Sequence, residues 1–167
     1  MSRLKRGLRE AVVLALIAAA VLFGMDWLRA PQLPDNLAQQ PLTALHGEAD
    51  LTQLSQQRPV LVYVWASWCG VCKLTTPTVA SLSQNGTQVV SVALRSGTDA
   101  RVATWLEKKG VQGVAINDES GALGQRWHIN ATPTFIVLHQ GKVVSTASGW
   151  TSSLGLKLRL WWAAHYA

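Results

Sequence analysis

Cysteine is nearly absent from this 167-residue chain, which has two, and no uninterrupted apolar run reaches the roughly 20 residues that cross a bilayer. With Cys69 and Cys72 alone there is no second cysteine pair to complete a four-ligand zinc site. His46, His128, His139 and His165 are scattered without close spacing, so no metal ligand is assigned. Lys73 stands where covalent haem attachment needs a histidine, which excludes that use of the pair. Internal repeats and low-complexity tracts are missing, and so is any aromatic and basic ladder of the kind that reads nucleic acid. The net charge of +6 shrinks to +3 once residues 1 to 30 are set aside, so nucleic acid is not an expected partner.

What is there is concentrated around the two cysteines. They sit in Trp68-Cys69-Gly70-Val71-Cys72, directly after the strand-like run Val60 to Trp65. Two intervening residues permit an intramolecular disulfide when the segment opens a helix. At that helix start, unpaired backbone N–H groups and the helix dipole stabilise a thiolate at Cys69 and lower its pKa below the roughly 8.5 of a free thiol. Cys69 is thus the expected nucleophile. Cys72, one turn further in, is expected to resolve the mixed disulfide formed with a partner. A bridge that closes so short a loop adds little stability, so redox chemistry is favoured over a structural role.

The N-terminal 30 residues form an appendage. Arg3, Lys5, Arg6 and Arg9 precede the apolar run Ala11 to Met25, and Arg29 follows it. Extended through Leu8 and Trp27-Leu28, with arginines reaching to the interfaces, residues 8 to 28 make a span just long enough to cross a membrane. Leu28 and Pro31 make a poor signal-peptidase site, which favours an uncleaved anchor. The excess of basic residues ahead of the run puts the N-terminus in the cytoplasm and the remainder across a bacterial-type inner membrane, in the oxidising periplasm. The expected domains are an N-terminus and anchor over 1–30, a tether over 31–46 and one folded domain over 47–167. Pro31, Pro34 and Pro41 make the tether extended and solvated.

Along the folded part, strands are expected at Val60 to Trp65, Gln88 to Leu94, Val114 to Ile116, Thr134 to Leu138 and Lys142 to Thr146. A short helix capped by Asp50 runs to Gln56, and further helices cover Gly70 to Ser83, Asp99 to Lys109, Ser120 to Trp127 and Ser152 to His165. The fold class is α/β, with a mixed central sheet flanked by helices. Leu154, Leu158, Trp161 and Trp162 fall at helical spacing and are expected to pack on that sheet, with a membrane-surface role for the tryptophan pair as the alternative. Trp105 and Trp127 are expected in the core or half-buried.

Trp65-Ala66-Ser67-Trp68-Cys69-Gly70-Val71-Cys72-Lys73, with Pro77 five residues beyond, resembles the active-site signature of the thioredoxin superfamily. Ala131-Thr132-Pro133-Thr134-Phe135 resembles the family's cis-proline loop, while Gly141 fits its hairpin turn and Gly149 the small residue before the last helix. The anchored layout further resembles membrane-bound TlpA-like proteins and the suppressor of copper sensitivity D group. The resemblance implies a thioredoxin-like fold preceded by one transmembrane helix, and a protein disulfide oxidoreductase that needs no bound cofactor. It implies cysteine-containing protein substrates, a membrane-embedded thiol electron donor or acceptor, and a link to copper tolerance. Thr132 and Pro133 would bind the client backbone and Trp68 would offer an apolar platform. Gly70, Val71 and Lys73 would support the pair, Lys73 by favouring the thiolate. Two alternatives are a thiol reductase of cytochrome c maturation and, in another class, a Cu(I)-handling protein. The chain departs from the family in carrying Tyr63 where thioredoxins bury an acid, and Thr75 and Thr134 where cytochrome-maturation relatives place acids. No carboxylate is therefore evident to take the proton of Cys72.

Overall fold

The computed structural model describes residues 7–10, 12–14, 16–17 and 31–166. The chain divides into two units, Met1–Ala30 and Pro31–Ala167. In the first, the described residues are helical and exposed. Most of the span expected over residues 8 to 28 lies outside the described residues, and among those described no helix is long and apolar enough to cross a membrane.

The second unit is built on β3 (Val60–Trp65), whose six residues are all buried. Its alternation explains why. Val60, Val62 and Val64 point into one apolar cluster, while Leu61, Tyr63 and Trp65 point into another on the opposite face. A strand covered on both sides has no solvent face to mark with polar residues, hence its continuous apolar run. β3 pairs in parallel with β4 (Gln88–Leu94), and β4 in parallel with β5 (Val114–Asp118). On the other side it pairs antiparallel with β6 (Thr134–His139), which pairs antiparallel with β7 (Lys142–Ser148). The resulting order is β5-β4-β3-β6-β7, a mixed sheet as the sequence suggests.

Parallel neighbours need crossover helices. Two supply them here, α2 (Gly70–Gln84) and α3 (Asp99–Lys109). With α5 (Ser153–Tyr166) they cover the Tyr63 face through Val79, Leu82, Val102, Leu106, Leu156 and Ala163. The other face is closed by α1 (Leu51–Leu54), capped by the Asp50 side chain, and by α4 (Ala122–Arg126) with the fully buried Trp127 behind it. Asp99 in its first turn and Lys108 and Lys109 in its last complement the dipole of α3, and Gly110 ends it in the left-handed region at φ 70°. The β6–β7 turn places Gln140 and Gly141 at φ 50° and 74°, the paired positive angles that a tight hairpin turn requires.

Two expectations are corrected. The extended, solvated tether over residues 31–46 is instead folded onto the domain. Leu37 and Ala38, in a short 3-10 turn (Leu37–Gln39), are buried, and β1 (Leu42–Ala44) pairs with β2 (Gly47–Ala49) as a hairpin. The Leu45 N–H donates to the Ala115 carbonyl at 2.7 Å, so the hairpin leans on the edge of β5. Three-residue strands are too short to show a period, and edge cover is a long-range contact that local composition does not report. The second correction concerns α5, whose buried residues are Leu156 and Ala163, while Leu154, Leu158, Trp161 and Trp162 face solvent. Leu156, Leu160 and Ala163 repeat at the same helical spacing as Leu154, Leu158 and Trp161, so periodicity alone does not choose between the faces. Trp127 is in the core, and the half-buried Trp105 stacks on Trp65 at 3.8 Å between ring centres.

Gly113, just before β5, adopts φ 121°, and a Cβ there would run into the carbonyl oxygen of Val89 on β4. We expect Gly113→Ala to cost about 2 kcal/mol, from backbone strain and displacement of β5. Urea unfolding monitored by tryptophan fluorescence measures this, and an unchanged midpoint would show that the β4–β5 edge yields freely.

Candidate functional site

The end of β3 aims the chain at the start of α2. Ala66 and Ser67 turn it, held by the Ser67 N–H donating to the Ser96 hydroxyl at 2.9 Å and by the Cys69 N–H donating to the Ala66 carbonyl at 3.1 Å. Cys69 then occupies the N-cap of α2 with extended backbone, and its Sγ accepts the backbone N–H of Cys72 at 3.0 Å. A sulfur therefore fills the place that serine or aspartate oxygen takes in an ordinary helix cap. Cys69 and Cys72 are joined in a disulfide with their Cα atoms 5.3 Å apart. Their exposures, 7% and 0%, give the pair a direction: only Cys69 presents surface to a partner. Gly70 and Val71 between them are exposed, and a Cβ added at Gly70 would meet nothing within 4 Å, so this side of the disulfide is open to an approaching chain.

The loop before β6 closes the site from the other side. The Thr132–Pro133 peptide bond is cis, and the Thr132 carbonyl oxygen lies 3.4 Å from Cys69 Sγ. The loop is pinned from below, where the Gly149 N–H donates to the Pro133 carbonyl at 2.8 Å and the Thr134 hydroxyl donates to the Ala131 carbonyl at 2.8 Å. Trp68, 65% exposed, stands beside the pair with its indole N–H donating to the Arg95 carbonyl at 3.3 Å. Lys73 is exposed on the first turn of α2. The structure thus brings Trp68, Cys69, Gly70, Val71, Cys72, Lys73, Thr132 and Pro133 together at one end of the sheet. Among the described residues no group of three or more histidines, cysteines or carboxylates could hold a metal ion.

Beneath Cys72 lies a cluster that sequence reading registers only as missing acids. The Tyr63 hydroxyl lies 2.9 Å from the Thr76 hydroxyl and 3.3 Å from the Cys72 carbonyl, which also accepts from Thr76 at 2.6 Å and from Thr75 at 3.2 Å. Tyr63 stacks on Phe135 with ring centres 5.3 Å apart and is fully buried. Burial raises the pKa of its hydroxyl, with the hydrogen bonds from Thr75 and Thr76 partly opposing that rise. At neutral pH the cluster is uncharged, so it fixes the first turn of α2 without offering a base for the Cys72 proton. A tyrosine above two threonines one helical position apart was the available signal, legible only once strand and helix are known to face each other.

The chain is similar to several known proteins. Residues 32–151 match the redoxin family. A thioredoxin-like protein of Haemophilus influenzae is 38% identical over 165 residues, covering 98% of this chain and 99% of that one. The thiol:disulfide interchange protein DsbE of Pseudomonas fluorescens is 27% identical over 139 residues, covering 79% of this chain and 78% of the relative. Among solved structures, a secreted Mycobacterium tuberculosis disulfide oxidoreductase homologous to the DsbE of E. coli superposes with a TM-score of 0.65 at 20% identity, over 76% of this chain and 98% of that one. That last likeness speaks for the fold.

Because Tyr63 holds its proton more tightly folded than unfolded, its contribution to stability is intact below the ordinary tyrosine value of about 10 and is lost as pH rises through its raised folded value. We expect Tyr63→Phe to cost about 1 kcal/mol between pH 6 and 9, the worth of one buried hydrogen bond. Above about pH 10 the gap between the two proteins should narrow. Urea unfolding of both across this range checks it, and a gap that stays constant would contradict the reading.

Proposed function

The chain belongs to the redoxin family of the thioredoxin superfamily, and on that footing we propose that it exchanges disulfides with the cysteines of other proteins through Cys69 and Cys72. The observation that carries the reading is the asymmetry of the pair. Cys69 Sγ caps α2 at the surface, 3.0 Å from the Cys72 N–H, while Cys72 is sealed in the core. Similarity to proteins named as thiol:disulfide interchange proteins supports it.

In the reducing direction, the Cys69 thiolate attacks a client disulfide. A bond forms between Cys69 Sγ and one client sulfur, the client S–S bond breaks, and the second client sulfur leaves as a thiolate that takes up a proton. Cys72 then loses its proton and attacks Cys69 Sγ, releasing the first client sulfur and restoring the Cys69–Cys72 bridge. Two electrons have passed to the client and must be replaced by a partner's dithiol. The edge of the Thr132–Pro133 loop offers the Thr132 carbonyl to the client backbone beside the sulfur, and Trp68 provides apolar surface for docking. Gly70 and Val71 leave the approach open, and Lys73 favours the thiolate. The uncharged cluster under Cys72 offers no base for its proton.

A membrane tether through residues 8 to 28, with the catalytic domain in the periplasm, is supported by the four basic residues ahead of the apolar run and the single arginine after it. The folded unit itself starts at Pro31. Attachment restricts the protein to clients near the membrane and raises its effective concentration for a membrane-embedded thiol partner. A role in copper tolerance rests on the Cys-Gly-Val-Cys resemblance, and calls for thiol repair rather than copper contact. A second reading, reduction of haem-attachment cysteines in cytochrome maturation, draws on the similarity to the interchange proteins DsbE and HelX. Against it stand Thr75 and Thr134, both buried and hydrogen-bonded, at positions where the resemblance to cytochrome-maturation proteins implies acids.

Cys72→Ser is expected to accumulate a stable mixed disulfide through Cys69, because the resolving thiol is gone, whereas Cys69→Ser should trap nothing. Non-reducing electrophoresis followed by mass spectrometry of the adduct reads the outcome. Failure of Cys72→Ser to trap any thiol partner, with tight Cu(I) binding by the reduced pair instead, would replace exchange with metal handling.

A further inference from the structure

We propose that this protein prefers clients whose reactive cysteine lies in an acidic segment, and that the segment is seated in the cleft between α2 and α3; the inference rests on the exchange function above and names its substrate class. The cleft has a volume of about 810 Å³ and begins at Trp68, the residue before the nucleophile. Trp65 and Trp105, stacked at 3.8 Å, form its floor, and Lys73, Arg101 and Lys108 stand around it. All three cations are exposed, and among the described residues none is held in an ion pair.

No carboxylate lines this cleft. The acids of α3 are engaged or turned away, since Asp99 accepts the side-chain amide of Asn117 at 2.8 Å and Glu107 lines a separate groove beside the β1–β2 hairpin. A second cleft on the far side of Trp68, about 440 Å³, repeats the pattern with Arg95 and no carboxylate, running to Thr132. Asp118, at the end of β5 beside it, is turned inward and spends its two oxygens on the backbone N–H groups of Leu123 and Gly124 at 3.1 and 2.7 Å. A peptide that crosses Cys69 from one cleft to the other therefore passes four cations and no lining carboxylate.

Such a field draws in an anionic chain and repels a cationic one before any contact forms. Each exposed pair contributes modestly, so the expected discrimination is the product of two or three small factors. The aromatic floor suits the apolar stems and backbone of a peptide, while the lysine and arginine heads meet its carboxylates.

The test uses the reduced full chain in neutral detergent and two disulfide-bridged peptides that differ only in carrying Glu or Gln at the positions flanking the cysteine. We expect the Glu peptide to exchange about tenfold faster at low ionic strength, with the advantage fading as salt shortens the screening length. Arg101→Gln combined with Lys108→Gln should bring the ratio of the two peptides close to one, Arg101→Lys should keep it, and Lys142→Gln, a single charge loss on β7, should leave it untouched. Equal rates for both peptides in the unaltered protein, or a preference that survives the double substitution, would overturn the inference while leaving exchange intact. Exchange with neither peptide would overturn the parent function and the inference together.

Discussion

The backbone N–H of Cys72, donated to Cys69 Sγ at 3.0 Å, is the constraint around which the rest of the molecule is arranged. It exists because β3 delivers the chain to the first turn of a helix with a cysteine at the cap position, and β3 can do so only by being buried along its whole length. The same contact that satisfies an otherwise unpaired helix donor favours negative charge on the sulfur once the disulfide opens. Structure and reactivity are thus one hydrogen bond: the helix needs an acceptor there, and a thiolate is a better acceptor than a thiol. The Thr132 carbonyl at 3.4 Å, held by the Gly149 N–H, fixes where a partner must lie to reach that sulfur.

What surrounds the cap divides the two cysteines chemically. Cys69 follows exposed Trp68, which borders two clefts lined by cations, whereas the Cys72 carbonyl meets an uncharged cluster of Tyr63, Thr75 and Thr76. An acid at position 63 would couple its own charge to the redox state of the pair. A tyrosine whose proton is held more firmly by burial does not. The cluster instead gathers three hydroxyls at one backbone carbonyl, which stiffens the first turn of α2. The protein has traded a proton acceptor for rigidity beneath its resolving cysteine, so the geometry of the pair is fixed more firmly than its proton traffic.

Much of this was legible in the chain before folding. The run from Val60 to Trp65 announces a doubly covered strand because its apolar character never alternates, and the cysteine spacing after it leaves few chemistries open. Thr132 and Pro133 were found through their resemblance to a known loop, since nothing in a lone Thr-Pro pair says that it will lie against residue 69. Where the reading failed, the missing quantity was non-local. Leu37 and Leu42 look like tether residues until they are seen filling a core beside Trp127, and the buried and solvent faces of α5 carry apolar residues at the same spacing. The cations Arg95, Arg101 and Lys108 are spread over fourteen positions of sequence, and only the α2–α3 packing gathers them beside Trp68.

The central claim is that the helix cap makes Cys69 alone the reactive thiol. Alkylation of the fully reduced protein with a stoichiometric haloacetamide across pH 4 to 10, with the modified cysteine identified by mass spectrometry, tests it directly. The account requires Cys69 to be modified first, with a midpoint clearly below the roughly 8.5 of a free thiol, while Cys72 stays protected. Modification of Cys72 at a comparable rate, or a Cys69 midpoint at or above the free-thiol value, would contradict it.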